Sequence, residues 1–138
     1  MAVIDAEGLV LGRLCTHVAK RLLNGEEIVI VNAERAVVSG RRAQVLEHYK
    51  HRRKRGKSHL TKGPYYPRQA DRILKRSIRG MVEYRKSSGR AALKRLRVYL
   101  GVPKEFEKTK AETLESARKP HLSKYMYLDE ICKEMGSS

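Results

Sequence analysis

The chain has 138 residues, with 31 Lys and Arg against 15 Asp and Glu, giving a formal charge of +16 at pH 7. That length supports one hydrophobic core and excludes two independent domains, and the longest strongly apolar run, residues 28–31, is far too short to cross a bilayer. The charge is segregated: residues 1–40 hold four basic against five acidic side chains, residues 101–138 hold seven against seven, and residues 41–100 hold twenty against three.

The N-terminal "MAVIDAEGLV" carries acids where a secretory leader would carry basic residues, so a soluble, cytosolic protein is expected. Its "VID" reads as a short strand, followed by a glycine-containing turn. Leu11, Leu14, Cys15, Val18, Ala19 and Leu22 then recur with the spacing of one helix face. Gly25 is the expected residue just past that helix, because the left-handed conformation that ends many helices costs glycine little. "EIVIVN" follows, its four consecutive apolar residues predicting a strand buried on both faces. Strand, helix and strand in so short a span predict an α/β fold. "GLVLGR" at the first turn matches neither nucleotide-binding glycine pattern, which argues against a cofactor site there. Cys15 and Cys132 are widely separated, lack a C-x-x-C partner and lie on apolar stripes, as small buried hydrophobes do.

A further short strand is expected at residues 36–38, with Ser39 capping a helix over residues 41–51 whose Val45, Leu46 and Tyr49 face the core. His48 and His51 stand at i and i+3, but no acidic or cysteine partner accompanies them and no metal is expected. Residues 52–68 are expected to form a basic loop, since Gly56, Gly63, Pro64 and Pro67 interrupt any helix and the stretch has no acidic residue to offset its charge. Tyr65 and Tyr66 in "KGPYYPR" either stack on unpaired bases or plug the loop into the core; the sequence leaves both readings open. Ile73, Leu74, Ser77, Ile78, Met81 and Val82 mark one face of the next helix, with Arg72, Lys75, Arg76 and Arg79 largely off it. "RKSSGR" then reads as a turn, with Ser87 or Ser88 capping "GRAALKRL", and "RVYLG" supplies a strand whose Val98 joins the sheet.

Positive charge confined to one block creates a directional field that concentrates a polyanion. Nucleic acid is the partner this implies. The candidate contacts are Arg41, Arg42, Lys50, Arg52, Arg53, Lys54, Arg55, Lys57, Lys62, Tyr65, Tyr66, Arg68, Arg72, Lys75, Arg76, Arg79, Arg85, Lys86, Arg90 and Lys94. A nucleic-acid enzyme would need a cluster of acids or metal ligands. The basic block offers only Glu47, Asp71 and Glu83, too far apart in sequence to share a metal-binding motif.

"GRLCTHVAKRLLNGEEIVIVNAERAVVSG", "KGPYYPR", "IRGMVEYRKSSGRAALKRLRVYLGVP" and "KYMYLDEICKEMG", in that order, resemble the large-subunit ribosomal protein thirteen family in its archaeal and eukaryotic form. The resemblance covers nearly the whole chain. It implies a three-layer α/β/α domain with a four-stranded, mostly parallel sheet. It also implies a structural, non-catalytic role, with large-subunit rRNA and neighbouring ribosomal proteins as partners, and no cofactor, small-molecule substrate or membrane. On this reading the chain is a single domain: an α/β core over 1–51 and 69–101, the basic loop 52–68, and a C-terminal extension 102–138 ending in a short helix around Leu128, Ile131, Cys132 and Met135. The extension is nearly neutral and is expected to lie along a neighbouring protein. Three departures from the family pattern are Cys15, where Ala is usual, Lys62 ahead of Gly-Pro, where Arg is common and would grip phosphate bidentately, and "MVEYRK", which replaces the more usual Met-Leu-Pro type of turn.

Overall fold

The computed structural model describes residues 1–55, 66–118 and 123–136. A parallel sheet of three strands, in the order β1-β2-β4, lies at its centre: β1 (Ala2–Asp5), β2 (Ile28–Val31) and β4 (Leu96–Val98). All four β2 residues are buried, as its uninterrupted apolar run requires of a central strand. Ile4 pairs in register with Ile30, and Ile30 with Val98. Between β1 and β2 runs α1 (Leu11–Leu23), whose buried face consists of the six residues of its apolar stripe. Gly25, at φ +96°, ends the helix: the Gly25 and Glu26 amides donate to the carbonyls of Leu22 and Arg21, closing a Schellman motif.

α3 (Ala70–Arg79) and α4 (Ser87–Lys94) complete the main core, with Ile73, Leu74 and Ile78 wholly buried beside Leu14 and Leu22 of α1. Val82 is buried too, but the helix stops at Arg79 and Met81 is 43% exposed, so the apolar stripe outlasts the helix by one turn. Neither Ser87 nor Ser88 caps α4. Lys86 is its N-cap and both serines sit in the first turn, because Gly89 packs against the preceding turn. A Cβ at Gly89 would lie 2.2 Å from the carbonyl oxygens of Val82 and Glu83, so only glycine lets the two backbones meet.

The parallel sheet contains three strands where the resemblance implied four. The strand expected at 36–38 forms as β3 (Val37–Ser39), but it pairs antiparallel with β5 (Tyr125–Tyr127) in a separate ribbon. This pairing draws Ser39 into the strand opposite Tyr125, so Arg41 rather than Ser39 stands at the N-cap of α2 (Arg42–Lys54). The sheet face away from the helices is small: Val3, Val29 and Val31 pack with Phe106 of the extension.

The described part of the extension folds back on its own domain. Glu112 bridges the outer edge of β1, its amide donating to Val3 and its carbonyl accepting from Asp5. Val10 donates to Ala117, and α5 (Leu128–Glu134) buries Leu128, Ile131 and Cys132 in the main core. Arg21 at the end of α1 pairs with both Glu26 and Glu112, at 2.8 and 3.0 Å.

Replacing Gly89 with Ala is expected to lower stability by about 1–3 kcal/mol, the usual cost of forcing atoms into a packed interior. Chemical denaturation of the two proteins measures it, and an unchanged midpoint would contradict the close approach described above.

Candidate nucleic-acid interface

α2 continues to Lys54, so Arg52, Arg53 and Lys54 form the last helical turn rather than the start of a loop, with Arg55 just beyond it. Residues 56–65 of the expected loop, with the candidate contacts Lys57, Lys62 and Tyr65, lie outside the described residues. Val45 and Tyr49 hold one side of α2 on the core, while Arg42 reaches across to Glu130 and Glu134 of α5 at 3.6 and 3.4 Å. Arg42 thus ties α2 to α5.

Tyr66 takes the core-plugging role. It is 8% exposed, its ring centroid lies 6.0 Å from that of Tyr49, and its hydroxyl accepts a hydrogen bond from Arg52 Nη1 at 3.3 Å. Arg53 donates to the Tyr66 carbonyl. The guanidinium carbons of Arg52 and Arg76 both lie near the ring, at 5.4 and 5.3 Å from its centroid, within the range where the aromatic quadrupole attracts a cation. One buried ring thus joins the end of α2 to the outer face of α3.

Around this joint lies an open cleft of about 730 Å³ whose wall includes Arg53, Arg68, Arg72, Lys75, Arg76 and Arg79, with Leu93 and Gly136 at its sides and no acidic side chain. Among the described residues, Arg68, Arg72 and Lys75 have no ion-pair partner. Two smaller hollows open beside the cleft, one between Arg52, Arg55, Tyr66 and Arg76, the other running from Arg52 to Tyr84. Lys50 and Lys54 lie apart, in a groove they share with Glu47 and His51. Arg41, Arg90 and Lys94 are exposed but outside the cleft. Lys86 pairs with Glu83 at 3.0 Å, and Arg85 bonds to the Tyr84 hydroxyl.

Tyr84 is the residue sequence reasoning missed. The Arg79 guanidinium lies over its ring, 4.4 Å from the centroid. The hydrogen bond from Arg85, and then the charges of Arg79 and Arg85, hold its phenol below the usual tyrosine range. The signal was its place five residues after Arg79, inside a turn that departs from the family pattern. Arg95, by contrast, spends its charge inward, donating from Nη2 to the Leu22 carbonyl at 2.6 Å.

No group of three or more metal-ligating side chains gathers among the described residues. Desolvation, followed by the charges of Arg52, His51 and Arg55, pushes His48 below the ordinary histidine value, so it stays neutral near pH 7. Glu47, Asp71 and Glu83 lie on α2, on α3 and in the turn before α4. Burial pushes the Cys15 thiol up to about 12 and the Cys132 thiol up to about 11, which keeps both protonated and unreactive near neutral pH.

The profile of the ribosomal protein L13 family matches residues 1–105. The chain belongs to that family. Its relatives include the large ribosomal subunit protein uL13 of Methanosarcina barkeri, 53% identical over 140 residues and covering 99% of both chains. The protein of the same name from Methanococcoides burtonii is 46% identical over 99% of both chains, and that of Archaeoglobus fulgidus is 48% identical over 97% of this chain and 86% of its own. The L13 profile ends at residue 105, one residue short of Phe106, whereas these relatives match through the extension as well.

Tyr66→Ala is expected to cost free protein about 3 kcal/mol, the lower end for truncating a buried aromatic ring. Tyr66→Phe keeps the ring and should cost about 1 kcal/mol for the lost hydroxyl hydrogen bond. Thermal unfolding without RNA checks both, and a wild-type melting temperature for the Ala variant would return Tyr66 to a purely RNA-facing role.

Proposed function

We propose that this chain is a structural, non-catalytic constituent of the large ribosomal subunit in the cytoplasm, and that it binds large-subunit rRNA through the last turn of α2, the segment at residues 66–68 and the outer face of α3. The observation that carries this reading is the acid-free cleft. Cations that merely solubilise a surface are usually interspersed with acids, whereas here Arg53, Arg68, Arg72, Lys75, Arg76 and Arg79 converge on one concavity. Such a surface has an unfavourable self-energy that phosphate groups relieve, with release of the RNA's condensed counterions as the driving term. On this reading Lys57, Lys62 and Tyr65 also contact the rRNA.

Family membership supports the ribosomal role, since relatives matching the whole chain carry the name of a large-subunit protein. No helix among the described residues is long and apolar enough to cross a membrane. Early entry into the assembling subunit fits a chain whose core is closed by its own C-terminal extension and needs no partner to complete it. Leu100 and Val102, 52% and 43% exposed beside the sheet, are the surface we assign to a neighbouring ribosomal protein.

The test is affinity for in-vitro-transcribed large-subunit rRNA across a salt series. Arg72→Ala and Lys75→Ala should each weaken binding and flatten the log-log salt dependence by about 0.7–0.9 units per lost phosphate contact. An unaltered slope in both variants would refute the phosphate-binding face, and multiple-turnover cleavage of the RNA would refute the structural role.

A further inference from the structure

Beside the main cleft, a hollow of about 360 Å³ runs from Arg52 and Tyr66 past Arg76 and Arg79 to Met81 and Tyr84. Its make-up differs from that of the cleft. The cleft is walled by cations, whereas this hollow adds an exposed thioether and a half-exposed aromatic ring: Met81 is 43% exposed with its sulfur 3.9 Å from Thr16 Oγ1, and Tyr84 carries the Arg79 guanidinium on its ring. A backbone-only phosphate site has no use for either group. Apolar surface of this kind, held open at the edge of a basic cleft, suits a flat heterocycle attached to a phosphate.

The turn holding Tyr84 is built rather than incidental. Glu83 adopts a left-handed conformation at φ 52°, rare for a residue with a side chain, and the Lys86 amide and ammonium both return to Glu83. The neighbouring carbonyls of Val82 and Glu83 pack against Gly89. Tyr84 and Arg79 are therefore held by a fixed scaffold instead of a mobile loop.

We propose that this hollow receives a single unpaired nucleotide of the rRNA, its base stacked on the Arg79 guanidinium that Tyr84 backs, with Met81 as the apolar wall. The proposal rests on the rRNA-binding reading and adds to it a base-recognition point that the phosphate face lacks. The hollow's volume suits one nucleotide, lying near the lower bound of about 300 Å³ for small-molecule sites. Stacking on arginine planes and aromatic rings is how proteins read splayed-out RNA bases, and it places the contact at a bulge, loop or strand end rather than within a duplex. Arg52 and Arg76, on the same hollow, lie where that nucleotide's phosphate would enter.

The test uses the full-length protein and in-vitro-transcribed large-subunit rRNA. A photoreactive phenylalanine analogue at position 84 should crosslink to one or two nucleotides that chemical probing of the free RNA shows to be unpaired. Tyr84→Leu should weaken binding by about 5- to 140-fold, the equivalent of one stacked base, leave the salt slope unchanged, and be rescued by Tyr84→Phe. Crosslinks confined to duplex RNA, or Tyr84→Leu binding as tightly as wild type, would overturn the stacked nucleotide. If Arg72→Ala and Lys75→Ala still flatten the salt slope in that case, the phosphate face survives and only this proposal falls. If the wild-type protein shows no salt-sensitive rRNA binding, both fall together.

Discussion

Packing several guanidinium groups onto one side of a small protein is unfavourable unless something in the interior holds them there, and in this fold the holder is the ring of Tyr66. Burial fixes the ring against Tyr49; the ring and its hydroxyl then draw Arg52 and Arg76, and the residue's backbone carbonyl draws Arg53. The attraction of a cation to a ring is worth about 0.5–2 kcal/mol, and two guanidinium groups share this ring. The ring therefore offsets part of the repulsion among the cleft's cations and leaves the remainder for a polyanion to relieve. That is the condition for a surface that stays folded without its partner and still gains from binding it.

The helices and parallel strands were largely legible because their cause is local. The stripe from Leu11 to Leu22, the run from Ile28 to Val31 and the face from Ile73 to Ile78 each state a periodicity that the core simply obeys. Three features were not legible, and each depends on a distant residue. Ser39 reads as a cap until Tyr125 arrives to pair with it; Ser87 and Ser88 read as caps until Gly89 meets Val82; the extension shows few apolar anchors in sequence until Glu112 and Phe106 find the sheet.

For the candidate interface, composition indicated the partner class and the approximate block but not which cations act together. Arg42, Lys86 and Arg95 belong to the same basic block as Arg72 and Lys75, yet the first two are tied to acids and the third is turned inward. Tyr66, open between two roles in the sequence, is decided by burial, and Tyr84 passed unnoticed because its partner Arg79 was counted only as charge. A sequence shows the sign of a surface; neighbours decide which charges remain available.

The route of the extension also bears on how the chain comes to be made. β1 is synthesised before its edge partner, so its outer edge stays open until Glu112 is added, β3 has no partner until Tyr125–Tyr127, and α2 gains its tie to Glu130 and Glu134 later still. Contacts of such long sequence separation form late and slowly. A nascent chain paused before Tyr125–Tyr127 therefore exposes the unpaired edge of β3 next to a strongly basic helix, in the vicinity of abundant RNA.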